Sequence, residues 1–256
     1  MATGGSRFSL SGKVALVTGA SRGIGRSIAQ AYAEADALVA VCARNAEACE
    51  QVVAEINSAG GEALSVPGNV GRLEDCAAIV NAVMERTGHL DVLVNNAATN
   101  PQFGPLLDAE ESAIDKILDV NVKAPIRMAR LACDAWMRAH GGSIINMASV
   151  AGIQPEPLTG AYNASKAALI SVTKTLAQEL GPAGVRVNAI APGLVETRFA
   201  KVLVETPTIH DHIVGQTALG RHAQPDEIAG AALYLASDAA SFVTGSVLVV
   251  DGGWTA

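Results

Sequence analysis

The 256-residue sequence predicts an α/β fold, a doubly wound sheet of seven parallel strands with helices on both faces. Two observations carry this. Short β-branched runs alternate with longer stretches of helical period, the pattern of repeated βαβ units. Half of the residues are hydrophobic but only 4% are aromatic, so Ala, Val, Leu and Ile must fill the core, as in sheets covered on both faces.

Taken in order, residues 13–18, 38–42, 63–67, 90–95, 143–147, 185–190 and 246–250 read as the strands, nearly all continuous apolar runs as double-sided burial requires. Helical spacing fills 24–35, 46–59, 73–87, 110–139, 161–180 and 226–236. Gly60-Gly61, Gly141-Gly142 and Gly181-Pro182 each follow a helical run and read as stops. Pro225 followed by Asp226 and Glu227 reads as a helix start. The Gly/Ser-rich residues 1–9 are expected to be a flexible N-terminus, and 10–256 a single domain. Residues 196–216, with Pro207, His210 and His212 in weakly amphipathic sequence, resist assignment and are expected to form a substrate flap.

Net charge of −7 leaves no electrostatic footprint for nucleic acid or an anionic membrane. No run reaches the ~18 apolar residues of a membrane helix, and residues 1–9 lack the features of a signal or transit peptide, so a cytoplasmic protein is expected. Cys42, Cys49, Cys76 and Cys133 are widely spaced, which fits reduced packing residues better than a disulfide framework. His210-x-His212 has no third ligand nearby in the sequence, and no metal is expected.

Directly after the first strand runs Thr18-Gly19-Ala20-Ser21-Arg22-Gly23-Ile24-Gly25. Such a stretch can be a mere connector, but here it lies between a buried strand and a helix start. Gly19 permits the tight turn, Gly23 lets backbone approach a pyrophosphate, and Gly25 lets the helix pack on the strand, while the helix N-terminus offers free N–H groups to phosphates. Tyr162 and Lys166 stand at i and i+4 and share a helix face. A free tyrosine, with a pKa of about 10, is a poor acid–base group near neutrality, and a neighbouring ammonium favours tyrosinate. Ser149, just after the fifth strand, reads either as a turn cap or as a hydroxyl aimed at a substrate carbonyl. Asn121, a poor helix former in a helical pattern, suggests a side-chain role or a kink. At the end of the second strand, Val41-Cys42-Ala43-Arg44-Asn45 contains no acid to select NAD, whereas Arg44 and Arg22 could pair with a 2′-phosphate if they are not simply surface arginines. NADP(H) is therefore expected, with NAD(H) possible.

The spacing Gly19-x-x-x-Gly23-x-Gly25 resembles the cofactor loop of the short-chain dehydrogenase/reductase family. The resemblance continues in order through Asn95-Asn96-Ala97, Asn121, Ser149, Tyr162-x-x-x-Lys166, Pro192-Gly193 and Asp251-Gly252-Gly253. It implies a Rossmann-like fold and a cofactor site drawn from Gly19, Ser21, Arg22, Gly23, Ile24, Gly25, Arg44, Asn45, Asn69, Val70, Asn96, Ala97, Tyr162, Lys166, Pro192, Gly193, Val195 and Thr197. It further implies that Lys166 bonds the nicotinamide ribose, that Asn121 holds a water in a proton relay, that Val195 and Thr197 hold the cofactor carboxamide and phosphate, and that helices pair into a homotetramer. Two positions depart from the pattern: Asn69-Val70 replaces the usual Asp-Val, and Ala98 follows the Asn-Asn-Ala segment in place of Gly.

The function expected is reversible interconversion of a ketone and a secondary alcohol, with Asn121, Ser149, Tyr162 and Lys166 as catalytic residues and a small carbonyl or alcohol substrate, as in carbonyl reductases. A second reading is 3-oxoacyl-acyl-carrier-protein reduction, which parts of the sequence also resemble. The basic positions by which such enzymes grip their acidic carrier correspond here to His140 and Ala183, and a chain of charge −7 repels that carrier at long range. A third is a non-catalytic NADP(H)-binding sensor, which the fold alone could support.

Overall fold

A computed structural model describes residues 6–256. Met1–Gly5, part of the segment expected to be flexible, lie outside the described residues. Seven parallel strands form one sheet in the order β3-β2-β1-β4-β5-β6-β7. They are β1 (Val14–Thr18), β2 (Leu38–Cys42), β3 (Glu62–Ser65), β4 (Val92–Asn95), β5 (Gly142–Met147), β6 (Val185–Pro192) and β7 (Val247–Val250). The order reverses between β1 and β4, so the crevice at their carboxyl ends is the topological switch point, where ligands of such sheets bind.

Period-two alternation divides most apolar strand residues between two cores. Ala15, Val17, Val39, Val41 and Val94 face helices α1 (Gly23–Glu34), α2 (Ala46–Ser58) and the later α10 (Pro225–Ala236), and pack with Ile28, Val52 and Ile228. Val14, Leu16, Ala40, Leu93 and Ile144 face the other way, towards Ile79 of α3 (Leu73–Thr87), Met128 and Ala177. All four cysteines are free and buried, Cys49 in the first core and the other three in the second, so they pack as expected.

The helical run 111–140 is not uniform. It comprises α4 (Glu111–Leu118), a π-turn at Asp119–Lys123, α5 (Ala124–Ala132), a second π-turn at Cys133–Met137, and α6 (Arg138–His140). Helix α7 (Gly160–Leu180) follows, and Gly181–Ala183 close it in a 3-10 turn. The unassigned stretch 196–216 forms two short helices, α8 (Lys201–Glu205) and α9 (Pro207–Gln216), the latter opened by Pro207 at its first position. Helix α10 (Pro225–Ala236) likewise opens on proline, and the Glu227 carboxylate accepts the Gln224 N–H at 2.8 Å. No helix among the described residues is long and apolar enough to cross a membrane.

Candidate active site

The crevice is a cleft of about 1450 Å³. That exceeds the ~300–1,000 Å³ of a pocket for one small molecule, and leaves room for two ligands side by side.

At one end the turn after β1 is built for close approach. Gly19 and Gly23 have φ of +66° and +54°, conformations that favour glycine. A Cβ on Gly19 would lie 2.9 Å from the Ala97 Cα, and one on Gly25 would lie 2.5 Å from the Gly19 carbonyl oxygen. Helix α1 begins at Gly23 without a side-chain cap and without an acid in its first turn, so its N–H groups and positive dipole end are not neutralised. The turn is anchored by a latch that sequence reasoning missed. Thr18 Oγ1 donates to the Val94 carbonyl at 3.1 Å and accepts the N–H groups of Asn96 and Ala97 at 3.0 and 3.1 Å. Asn96 Nδ2 returns to the carbonyls of Thr18 at 2.9 Å and Gly19 at 3.2 Å. The one local signal was a hydroxyl at the end of an otherwise apolar strand.

Ser21, Ile24, Arg44, Asn45, Asn69, Val70 and Ala98 all line the cleft. Among the described residues Arg22 and Arg44, exposed there, form no ion pair, and Glu156 is the only carboxylate lining the cleft. Asn45 and Asn69 have further duties: Asn45 Oδ1 caps α2 by accepting Ala48 N–H at 2.9 Å, and Asn69 Oδ1 accepts Gly71 N–H at 3.1 Å. Pro192 ends β6, and a Cβ on the next residue, Gly193, would lie 2.9 Å from the Asp251 Cα. Val195 bridges to Ala223, while Thr197 faces the glycine turn, its Cγ2 being 3.2 Å from where a Gly23 Cβ would stand. Glycine turn and uncapped helix start suit the pyrophosphate of a dinucleotide, so these residues fit a nicotinamide cofactor.

The other wall is carried by β5 and α7. Ser149 caps a short 3-10 turn, its Oγ accepting Ala151 N–H at 3.1 Å, and lines the cleft together with Tyr162. Lys166 is 2% exposed, lies with Nζ 5.5 Å from the Tyr162 ring centroid, and donates to the Met147 carbonyl at 2.6 Å. Burial pushes Tyr162 up to about 12, with the Ser149 hydrogen bond opposing, and pushes Lys166 down to about 7. The expected lowering of the tyrosine by a neighbouring ammonium is thus reversed in the chain by itself, because desolvation is the largest influence on both groups.

Asn121 sits in the first π-turn and is 1% exposed. Its amide oxygen accepts Thr99 N–H at 2.9 Å, and its Nδ2 donates to the Thr99 carbonyl at 3.0 Å and to Ser165 Oγ at 3.1 Å. Ser165 Oγ in turn donates to the Tyr162 carbonyl at 2.7 Å. The kink anticipated at Asn121 is therefore a π-turn that points this amide at the loop after β4 and at the first turns of α7. Beneath it, a buried chain runs from Asn95 to Asn146 and Thr173, with both links at 2.9 Å, and ties β4 to β5 and α7.

His210 and His212 part company. His210 Nε2 lies 3.0 Å from His222 Nδ1, whose other nitrogen is 3.2 Å from Glu196 Oε2, whereas His212 meets Gln216. This chain ties α9 to the loop of Val195 and Thr197. Among the described residues no three His, Cys, Asp or Glu side chains cluster as a metal site.

Comparison with known proteins agrees with this arrangement. Residues 19–255 match the family model described as enoyl-(acyl carrier protein) reductase. The chain is 42% identical over 250 residues to dehydrogenase/reductase SDR family member 4 of Bos taurus, covering 96% of this chain and 88% of that one. It is 36% identical to tropinone reductase-like 3 of Erythroxylum coca, covering 97% and 95% of the two. Among solved structures it resembles a gluconate 5-dehydrogenase from Burkholderia cenocepacia J2315 in complex with NADP and tartrate, with a TM-score of 0.93, 34% identity and 97% of each chain covered. The ordered motifs, the seven-stranded Rossmann-like sheet and these matches over nearly the whole length make the chain a member of the short-chain dehydrogenase/reductase family of oxidoreductases.

Proposed function

We propose that the chain is an NADP(H)-dependent oxidoreductase that interconverts a ketone and a secondary alcohol, with Tyr162 as the acid–base group. The observation that carries this reading is the convergence of Ser149, Tyr162 and Lys166 on one wall of a cleft whose far end is the glycine turn. When bound, the nicotinamide supplies a hydride, two electrons with one hydrogen nucleus, to the carbonyl carbon and takes it back in alcohol oxidation. Tyr162 Oη gives the matching proton to the carbonyl oxygen, so that C=O becomes CH–OH. The Ser149 hydroxyl orients the same oxygen. Lys166 lies behind Tyr162, and its charged form favours tyrosinate for the reverse reaction. Asn121 holds Thr99 and, through Ser165, the start of α7, so it fixes the tyrosine against the loop after β4.

Arg44 and Arg22 support the phosphorylated cofactor, because a 2′-phosphate finds two guanidinium groups that form no ion pair and, at that end, no competing carboxylate among the described residues. The solved relative from Burkholderia holds NADP, in line with this preference. The acyl-carrier reading is weaker, since His140 is stacked on Trp136 with ring centroids 3.6 Å apart, and its Nδ1 lies 3.0 Å from the Trp136 carbonyl oxygen. A sensor without catalysis would have no use for the assembled Ser149, Tyr162 and Lys166. Buried free thiols support a reducing cytoplasmic setting, and a homotetramer is the expected assembly, to be checked by light scattering. The enzymatic reading is tested by following NADPH and NADH consumption with ketones and NADP⁺ reduction with secondary alcohols. NADPH-linked turnover is expected, and no turnover with any carbonyl or alcohol would refute it.

A further inference from the structure

Beyond the reaction class, the mouth of the cleft says what kind of carbonyl it takes. Four large apolar side chains from three segments line this cleft while remaining open to solvent: Phe103 is 48% exposed, Leu158 41%, Phe199 55% and Val202 57%. Folded chains seldom gather exposed apolar groups around one opening unless something covers them. The Phe199 ring is tilted 44° to the Tyr162 ring, with centroids 5.8 Å apart, so the aromatic surface begins beside the acid–base hydroxyl. Arg198 and Glu156, opposite in sign, also line the cleft. A polyol or sugar acid placed here would lose water from its hydroxyls wherever they meet these four side chains, which offer no hydrogen bonds.

We propose that the substrate is a bulky apolar ketone, aryl or alicyclic, whose ring covers Phe199 and Phe103 while its carbonyl meets Tyr162. This rests on the ketone–alcohol reading above and narrows it. It also sets this chain apart from its solved relative named as a gluconate dehydrogenase.

The test compares kcat/KM at saturating NADPH for α-tetralone and acetophenone, for 5-ketogluconate, for 2-butanone and for a long-chain 3-oxoacyl thioester. The ring ketones are expected to exceed 5-ketogluconate by at least 100-fold. Phe199→Ala and Phe103→Ala are each expected to cut kcat/KM for the ring ketones by roughly 10-fold or more, mainly through KM, since lost apolar contact in a pocket is worth about 10–200-fold. The loss for 2-butanone should be several-fold smaller. A preference for 5-ketogluconate or the acyl thioester would overturn the proposal while leaving the ketone–alcohol reading intact. Equal losses for ring ketones and 2-butanone would also overturn it. No reduction of any carbonyl would overturn both.

Discussion

Replacing Lys166 with methionine should stabilise the protein, and by an amount that depends on pH in a calculable way. The side chain is 2% exposed, and burial moves its pKa from 10.5 to about 7. At ~1.4 kcal/mol per pKa unit this displacement corresponds to about 5 kcal/mol as a ceiling. Because the folded-state value is the lower one, the unfolded chain binds the extra proton between pH 7 and 10.5, so stability rises with pH across that window. The cost of holding Lys166 is complete below pH 7 and gone above 10.5. Lys166→Met removes it and gives up the hydrogen bond to the Met147 carbonyl, worth ~1–3 kcal/mol. The variant should therefore be more stable than the parent by roughly 2–4 kcal/mol at pH 6.5, and this advantage should shrink by about 3 kcal/mol at pH 9.5. Urea unfolding of both proteins at equal concentration, followed by far-UV circular dichroism at the two pH values, measures it. A stability difference that is the same at both would refute the reasoning.

Three further outcomes follow from the site. Gly25→Ala places a Cβ against the Gly19 carbonyl and the Asn96 amide, so NADPH affinity, read from nucleotide fluorescence, should fall at least ~100-fold. Arg44→Glu should shift the ratio of NADPH to NADH dissociation constants by ~10–100-fold towards NADH, since one charged hydrogen bond to phosphate is worth about 1.5–3 kcal/mol; an unchanged ratio in a fluorescence titration would argue against Arg44. Asn121→Ala leaves the Thr99 N–H and carbonyl without their partner and should cost about 2–4 kcal/mol in chemical denaturation, with turnover reduced as the loop after β4 loosens.

Legibility in the sequence followed the range of the forces involved. Strand β2 and helix α3 have the limits that apolar runs and helix signals mark, because those cues are local. The third strand is expected to continue to Pro67 and ends at Ser65, although Val66 N–H still donates to the Val41 carbonyl, and Pro67 beyond it has no N–H to offer. Helices α8 and α9 were missed because each is short and only weakly amphipathic, and a proline separates little from a loop in such a stretch. The π-turn at Asn121 inserts one residue per turn without disturbing composition, so only the poor helix former betrayed it. In the candidate site, Tyr162 and Lys166 were visible as an i, i+4 pair, and the glycine turn as a spacing. The Thr18–Asn96 latch and the His210–His222–Glu196 chain join residues far apart in sequence, and beyond the hydroxyl that ends β1 no local pattern announces them. The effect of burial on Tyr162 and Lys166 is equally hidden, since desolvation is a property of the packed molecule.

The central claim, that Tyr162 moves the proton, is tested most directly by single-turnover reduction with Tyr162→Phe preloaded with NADPH. The account predicts that the variant binds NADPH within a few-fold of the parent while hydride transfer to a ring ketone slows by ~10³-fold or more. Hydride transfer at the parent's rate by the loaded variant would contradict it.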